Sequence, residues 1–365
     1  MHYWNGLTEV PENLGPTAVT IGNFDGVHLG HQHVLRRLVA AAAEHEASAV
    51  AVSFDPHPLQ VHRPDSCPEM LTGVQEKINR LSAASLAGLL MLPYTLDLAG
   101  LTPEEFVRRY FVEALGASVV VIGHDVRFGR GNTGTFQTMV ELGERHGFEV
   151  IGVEDYARAA VEGSAEEGAD AETARRCSST WVREALRAGD VVSAREVLGR
   201  PHAVLGEVVH GAGRGRELGF PTANLGADSE GMVPADGVYA GWLTVLDGVR
   251  GGDSTPGQDP GAAVPAHGRR WPAAISVGTN PVFDGVERVV ESHVIDRPKE
   301  KVEEFDLYGQ HVRVEFVERL RGQVAFDGIA LLIRQMEEDV LRARQVLRAD
   351  DPENVDPLAA PAVEA

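Results

Sequence analysis

Short, wholly apolar runs alternate with amphipathic stretches from Ala18 to about Val153, and that alternation admits few folds. Ala18–Ile21, Ala49–Phe54, Ser118–Ile122 and Phe148–Val153 read as strands, and His31 to about Glu46 reads as a helix between the first two. Strands that lack a polar face must be covered on both sides, which calls for a doubly wound parallel sheet flanked by helices. Ligands of such sheets bind beyond the carboxyl ends of the strands. The loops after Ile21, Phe54 and Ile122 are therefore the ones that carry chemistry.

The texture then changes. Residues 154–176 are acidic and rich in Ala and Glu, without sustained periodicity, and read as a flexible insertion. Helices follow at Ser179–Leu186 and Val191–Leu198, the second closed by Arg200-Pro201. From His202 the chain turns to strands, at Val204–Val209, Gly237–Leu246, Ala273–Val277, Val289–Ile295 and Val312–Leu320. Turn-forming clusters separate them, the pattern of an antiparallel barrel or sandwich. Residues 251–268 read as a Gly/Pro/Ala-rich insert. A final helix, Ile329–Leu347, offers Leu332, Met336, Val340 and Leu347 as a docking face. The expected organisation is an α/β domain over 1–187, a linker helix over 188–201, a β-rich domain over 202–348 and a disordered acidic tail over 349–365. A length of 365 residues suits two domains.

Charge narrows the partners. Lys and Arg number 33 against 54 Asp and Glu, a net −21. Such a chain does not present the basic face that a long nucleic-acid backbone requires. Small phosphorylated ligands remain compatible, because helix ends and backbone amides hold anions locally. Cys67 and Cys177 make no disulfide framework. Met1 to Pro16 lacks the pattern of a signal peptide. The apolar runs Leu86–Pro93 and Val119–Ile122 are far shorter than a membrane span. A cytoplasmic protein with no nucleic-acid or membrane partner is expected; its oligomeric state is not legible.

The junction after the first strand reads Gly22-Asn23-Phe24-Asp25-Gly26-Val27-His28-Leu29-Gly30-His31. Glycines permit a tight turn, Gly30 opens a helix whose free N–H groups suit a phosphate, and His28 and His31 flank that helix mouth. The residues alone leave two other readings open: a turn that carries surface histidines, or a metal site drawn from His28, His31 and His33.

In the strand-rich half, Gly211, Gly213 and Gly215 form a close-approach loop with Arg214 and Arg216. Pro221-Thr222-Ala223-Asn224 follows, with a hydroxyl and a carboxamide two residues apart and so on one side of an extended chain. Those hard oxygen donors suit Mg²⁺. The stretch is not a P-loop, and the residues also fit a Gly-rich hairpin with a Pro turn.

These segments together resemble one family. The GNFDGVHLGHQ stretch is similar to the signature of the HxGH nucleotidyltransferases, and more narrowly to the N-terminal module of prokaryotic bifunctional riboflavin kinase/FMN adenylyltransferases. Phe54-Asp55-Pro56-His57-Pro58, Gly123-His124-Asp125-Val126-Arg127-Phe128-Gly129 and Ser178-Ser179-Thr180-Trp181-Val182-Arg183 match in order. GRGRELGFPTANL resembles the riboflavin kinase signature, followed by PADGVY (234–239), AISVGTNP (274–281), ESHVID (291–296) and DLYG (306–309). The resemblance implies a Rossmann-like adenylyltransferase domain and a β-barrel kinase domain. Riboflavin would be phosphorylated by ATP to FMN, and FMN adenylylated by ATP to FAD and pyrophosphate.

By the same resemblance, His28 and His31 are catalytic. Gly22, Asn23, Phe24, Asp25, Gly26, Asp125, Ser179, Thr180 and Arg183 bind ATP with them, and Phe54, Pro56, His57 and Pro58 hold the flavin. In the kinase, Gly211, Gly213, Arg214, Gly215, Pro221, Thr222 and Asn224 take ATP, and Thr222 and Asn224 ligate Mg²⁺. Glu291 is the general base and Arg321 lines the flavin pocket. Val126 stands where the family usually carries an aromatic residue and Val282 where threonine is common, and the loops at 251–268 and near Pro298–Glu304 are longer. Two alternatives stay open on the sequence: a chain with one working module, or a non-catalytic flavin- or nucleotide-binding regulator.

Overall fold

The computed structural model describes residues 1–158, 175–211, 215, 218–250, 268, 270–282, 285–295 and 307–350. The chain forms two compact units. Among the described residues, the first comprises Met1–Glu69 and Val74–Ser178, and the second comprises Met70–Gly73 and those from Ser179 onward.

The first unit is built on a six-stranded, wholly parallel sheet in the order β1-β4-β3-β2-β5-β6. Its strands are β1 (His2–Asn5), β2 (Thr17–Ile21), β3 (Ser48–Asp55), β4 (Gly88–Pro93), β5 (Ala117–Gly123) and β6 (Glu149–Val153). The central strands bury nearly every side chain, as their apolar runs require. Two strands exceed the sequence expectation. The run Gly88–Pro93 is too short for a membrane but the right length for a strand buried on both faces. β1 has only Trp4 buried, so it carries no apolar run to read.

The first strand–helix crossover enters α1 (Leu29–Glu44), two residues ahead of the expected start. His28 supplies the reason: its ring caps the helix. The edges of the acidic segment 154–176 are also ordered. Ala157–Arg158 (β7) pairs with Arg175–Arg176 (β8), so its flanks are a short hairpin stem and not part of a flexible linker. Residues 159–174 lie outside the described residues, as do most of 251–268, the loop near Pro298–Glu304 and the tail beyond Asp350.

The second unit opens with α7 (Ser179–Ala188) and α8 (Val191–Leu198) and then closes a six-stranded antiparallel barrel. The strands are β9 (His202–Val209), β10 (Ala223–Leu225), β11 (Gly237–Arg250), β12 (Arg270–Val282), β13 (Gly285–Val294) and β14 (Gln310–Arg321), in the order β10-β13-β12-β11-β14-β9. β10 has three residues, too few for periodicity to reveal it. Alternation sorts β11: Tyr239 is fully buried edge-to-face with Phe316, while Val238, Ala240 and Trp242 join the cluster under the last helix, α9 (Ile329–Ala349).

The docking face of α9 differs from the expected one. Asp339, Ala343 and Leu347 are its buried residues, and Leu332, Met336 and Val340 are half-buried. Asp339 turns inward because the Arg321 guanidinium grips it with two nitrogens, at 2.9 Å (Nε) and 2.6 Å (Nη2), and Gln335 adds a third bond at 3.2 Å. Removing one partner of a buried pair leaves the other charge stranded. Asp339→Ala is accordingly expected to destabilise the second unit by about 3 kcal/mol, read as a lowered urea midpoint.

Candidate functional site

Strand order reverses at β2: β3, β4 and β1 lie to one side, β5 and β6 to the other. Loops leaving β2 and β5 therefore diverge and leave a crevice between them. A cleft of about 920 Å³ opens there.

The loop after Ile21 is tightly wound. Phe24 (φ 49°) and Val27 (φ 41°) hold the left-handed backbone that side chains disfavour, and both are buried. Their burial holds a strained turn that delivers His28 to the helix mouth. There the His28 Nδ1 accepts the His31 backbone N–H at 3.4 Å, so in the neutral ring Nε2 carries the proton. The two rings stack 3.7 Å apart at 22°. Gly30 sits tightly at this spot: a Cβ would come 3.0 Å from the His28 ring and 3.3 Å from the Cys177 carbonyl. His33 faces Tyr156 instead, with ring centroids 5.5 Å apart, and does not join a three-histidine group.

His31 is electrostatically set. Burial, with Arg176 and then Lys77 nearby, pushes its pKa down to about 3, so the ring is neutral. Its Nδ1 and the Thr20 Oγ1 are enclosed without a hydrogen-bond partner among the described residues. Both residues line the cleft.

The cleft has two chemically distinct ends. One gathers Asn23, His28, His31, Asp125 and Arg176 around the mouth of α1. Arg176 pairs with Asp125 and, at 3.3 Å, with Asp155. The other end is aromatic and apolar: Phe54 meets Tyr94 edge-on at 5.4 Å, Phe106 lies 6.4 Å from Phe128, and Pro58, Leu98 and Val126 complete the wall. The Tyr94 hydroxyl is 2.9 Å from the His62 Nε2. A flat ring system with a phosphate at one end fits this division.

Most of the expected residues of this unit converge. Gly22, Asn23, Phe24, His28, His31, Phe54, His57, Pro58 and Asp125 all line the cleft. Asp25 is buried behind it, and Pro56 follows a cis peptide bond at the turn out of β3. His57 caps the short helix Pro58–His62, its Nδ1 accepting the Leu59 N–H at 3.2 Å. Ser179, Thr180 and Arg183 belong to the second unit, in the first turns of α7, where Arg183 is buried. Sequence reading passed over Tyr94, Phe106, Arg176 and Lys77. Arg176 falls inside the segment that reads as a flexible insertion, and Lys77 is one charge on an ordinary amphipathic helix.

In the barrel, Asn224 of β10 lies directly opposite Glu291 of β13, and Glu291 directly opposite Ser276 of β12. Paired positions share a face, so carboxamide, carboxylate and hydroxyl form one row. The Asn224 Nδ2 donates to the Thr222 carbonyl and Oγ1, each at 3.3 Å, which fixes the amide's orientation. Gly211 presses close: a Cβ there would sit 2.6 Å from the Asn224 carboxamide. The Pro221 carbonyl lies 3.0 Å from the His293 Nδ1. Gly215 is half-buried, and Gly213 and Arg214 lie outside the described residues. Arg321 is held by Asp339, which makes it an anchor for α9.

Two family comparisons divide the chain as the structure does. The FAD synthetase family matches residues 10–166 and the riboflavin kinase family matches 198–347. The class is thus a two-module transferase, an α/β nucleotidyltransferase joined to a flavin kinase barrel. The chain belongs to the bifunctional riboflavin kinase/FMN adenylyltransferase family. It is 32% identical over 340 residues to that enzyme of Pseudomonas fluorescens, covering 92% of this chain and 94% of the relative. The Bacillus subtilis relative is 30% identical (90% and 92% covered), and that of Escherichia coli K12 is 29% identical (95% and 97%). A solved structure described as a macrolide-efflux protein from Streptococcus pneumoniae superposes with a TM-score of 0.72 at 27% identity, covering 94% of this chain and 98% of that one. Among the described residues no helix is long and apolar enough to cross a membrane.

The state of His31 has a consequence for stability. Between about pH 6.5 and 3 the unfolded chain binds a proton on this ring that the folded protein refuses. The folded state loses stability as pH falls through that window, and the group contributes no pH dependence above it. His31→Asn is expected to flatten the acid-side fall in the first unit's melting temperature, measured calorimetrically from pH 7 to 4.

Proposed function

We propose that this chain carries out two consecutive steps of FAD formation: riboflavin is phosphorylated by ATP in the barrel, and FMN is adenylylated by a second ATP in the α/β cleft. It is a transferase, and ATP and the flavins are its substrates, as its family membership gives. The observation that carries the assignment is the presence in one chain of stacked imidazoles at a helix mouth and a carboxylate set opposite Asn224.

For adenylyl transfer, the FMN phosphate is already an anion and needs no base to attack the α-phosphorus of ATP. The site must align the two and offset charge as pyrophosphate departs. His28 and His31 are the donors assigned to that charge, backed by the amino end of α1. Arg176, released from Asp125, is the cation for the triphosphate. The isoalloxazine takes the aromatic end, against Phe54 and Phe106.

For the kinase step, a ribityl hydroxyl is a weak nucleophile while protonated. Glu291 accepts that proton as the oxygen attacks the γ-phosphorus and ADP leaves. The oxygens of Thr222 and Asn224 fit Mg²⁺: with Nδ2 committed to Thr222, the Asn224 Oδ1 is the atom left to face a cation. Mg²⁺ held there with the ATP phosphates supplies charge neutralisation. The cytoplasm, where ATP is plentiful, is the compartment this chemistry suits.

Chromatography of riboflavin incubated with MgATP is expected to show FMN rising first and FAD after it. His28→Ala should lower FAD formation at least about 10²-fold and leave FMN formation intact. Glu291→Ala should lower FMN formation by about 10²-fold or more and still convert supplied FMN to FAD. Loss of both activities from either substitution in a folded protein contradicts the division of labour.

A further inference from the structure

Gln32, in the first turn of α1, is fully buried and does not line the cleft. Its side-chain Nε2 donates to the Val27 carbonyl at 3.0 Å, and its backbone N–H donates to the His28 carbonyl at 3.0 Å. One residue therefore holds the carbonyls on both sides of His28. Each peptide group is planar, so a held carbonyl fixes its whole plane. The first bond fixes the plane from which the His28 φ of −69° departs, and the second fixes the plane at its ψ of 169°. With both planes held, the side chain of His28 leaves the backbone in one direction. An ordinary helix residue makes the backbone bond alone; the side-chain bond reaches back five positions, to a residue outside the helix.

The bond to Val27 meets a specific need. Val27 is held at φ 41°, where a β-branched residue is strained. A return of Val27 to ordinary backbone angles would swing its carbonyl away from Gln32. The same movement would turn His28, whose ring caps α1 through the His31 N–H at 3.4 Å and stacks on the His31 ring at 3.7 Å. Both of those contacts depend on where the backbone at His28 points.

We infer that Gln32 is a positioning residue for adenylyl transfer, one that clamps the two peptides flanking His28 and so aims its imidazole into the cleft. The inference rests on the cleft being the adenylyltransferase site. Gln32 acts through His28 and touches no substrate. Loss of its side-chain bond therefore weakens transition-state stabilisation and leaves ground-state binding nearly unchanged.

The test uses the full chain, with FMN and ATP as substrates and riboflavin phosphorylation as an internal control. Gln32→Met is close in volume and lacks the amide donor. It is expected to lower kcat for FAD formation at least about tenfold, with KM for ATP and FMN moving less than about threefold. FMN formation should stay within about twofold of the parent, because that step is assigned to the barrel. The deciding readout is coupling to His28. In a His28→Ala background, Gln32→Met should slow single-turnover FAD formation by no more than about twofold further, since there is no imidazole left to aim. A residue that only supports the fold would lower both backgrounds alike. Should Gln32→Met leave the first unit unfolded by calorimetry, Gln32→Asn decides in its place: it keeps the amide on a shorter stem, and the same pattern is expected. Parent kcat in the folded deciding variant, or a full additive loss in the His28→Ala background, overturns the inference. Failure of the unmodified chain to make FAD from FMN and ATP overturns the functional reading itself, a separate outcome.

Discussion

The strained turn between β2 and α1 is the constraint on which the nucleotide cleft depends. Two bulky residues, Phe24 and Val27, sit in backbone regions that favour glycine, and they stay there because their side chains are packed in the core. Relaxing either would move His28 off the helix cap and separate it from His31. Packing free energy is thereby used to hold His28 at the mouth of α1, which is why the turn is both buried and tight.

Electrostatics then tunes what packing positions. An acidic protein has to bind the polyanionic ends of nucleotides, and the first unit does so by concentrating its donors. The His28 and His31 imidazoles, a helix amino end and Arg176 converge on the cleft, while Asp125 and Asp155 engage the arginine. A neutral His31 costs little to bury, and it accepts or donates a hydrogen bond without the desolvation penalty of a fixed charge. The barrel solves its own problem differently, by cross-strand register: Asn224, Glu291 and Ser276 become neighbours because three antiparallel strands pair there.

Much of this was legible beforehand. The motif GNFDGVHLGH named the helix mouth, the FDPHP stretch named a loop that lines the cleft, and Thr222, Asn224 and Glu291 were read as a set although 67 residues separate Asn224 from Glu291. What escaped were residues whose role comes from position alone. β1 and β10 are too short to show a period. Arg176 lies in a segment that reads as a flexible insertion, and the partner of Arg321, Asp339, stands 18 residues away on another element.

The amino-acid order by itself determined the two architectures, the loops that face ligand and the residue types that perform the chemistry. These follow from apolar periodicity and from local turn chemistry, which act over a few residues. Tertiary structure alone decided which charges are neutralised by protein and which are left for substrate, because that depends on distances between segments far apart in the chain. Lys77 illustrates the difference: nothing beside it in sequence marks it, and only the fold brings its ammonium to the Phe54 carbonyl.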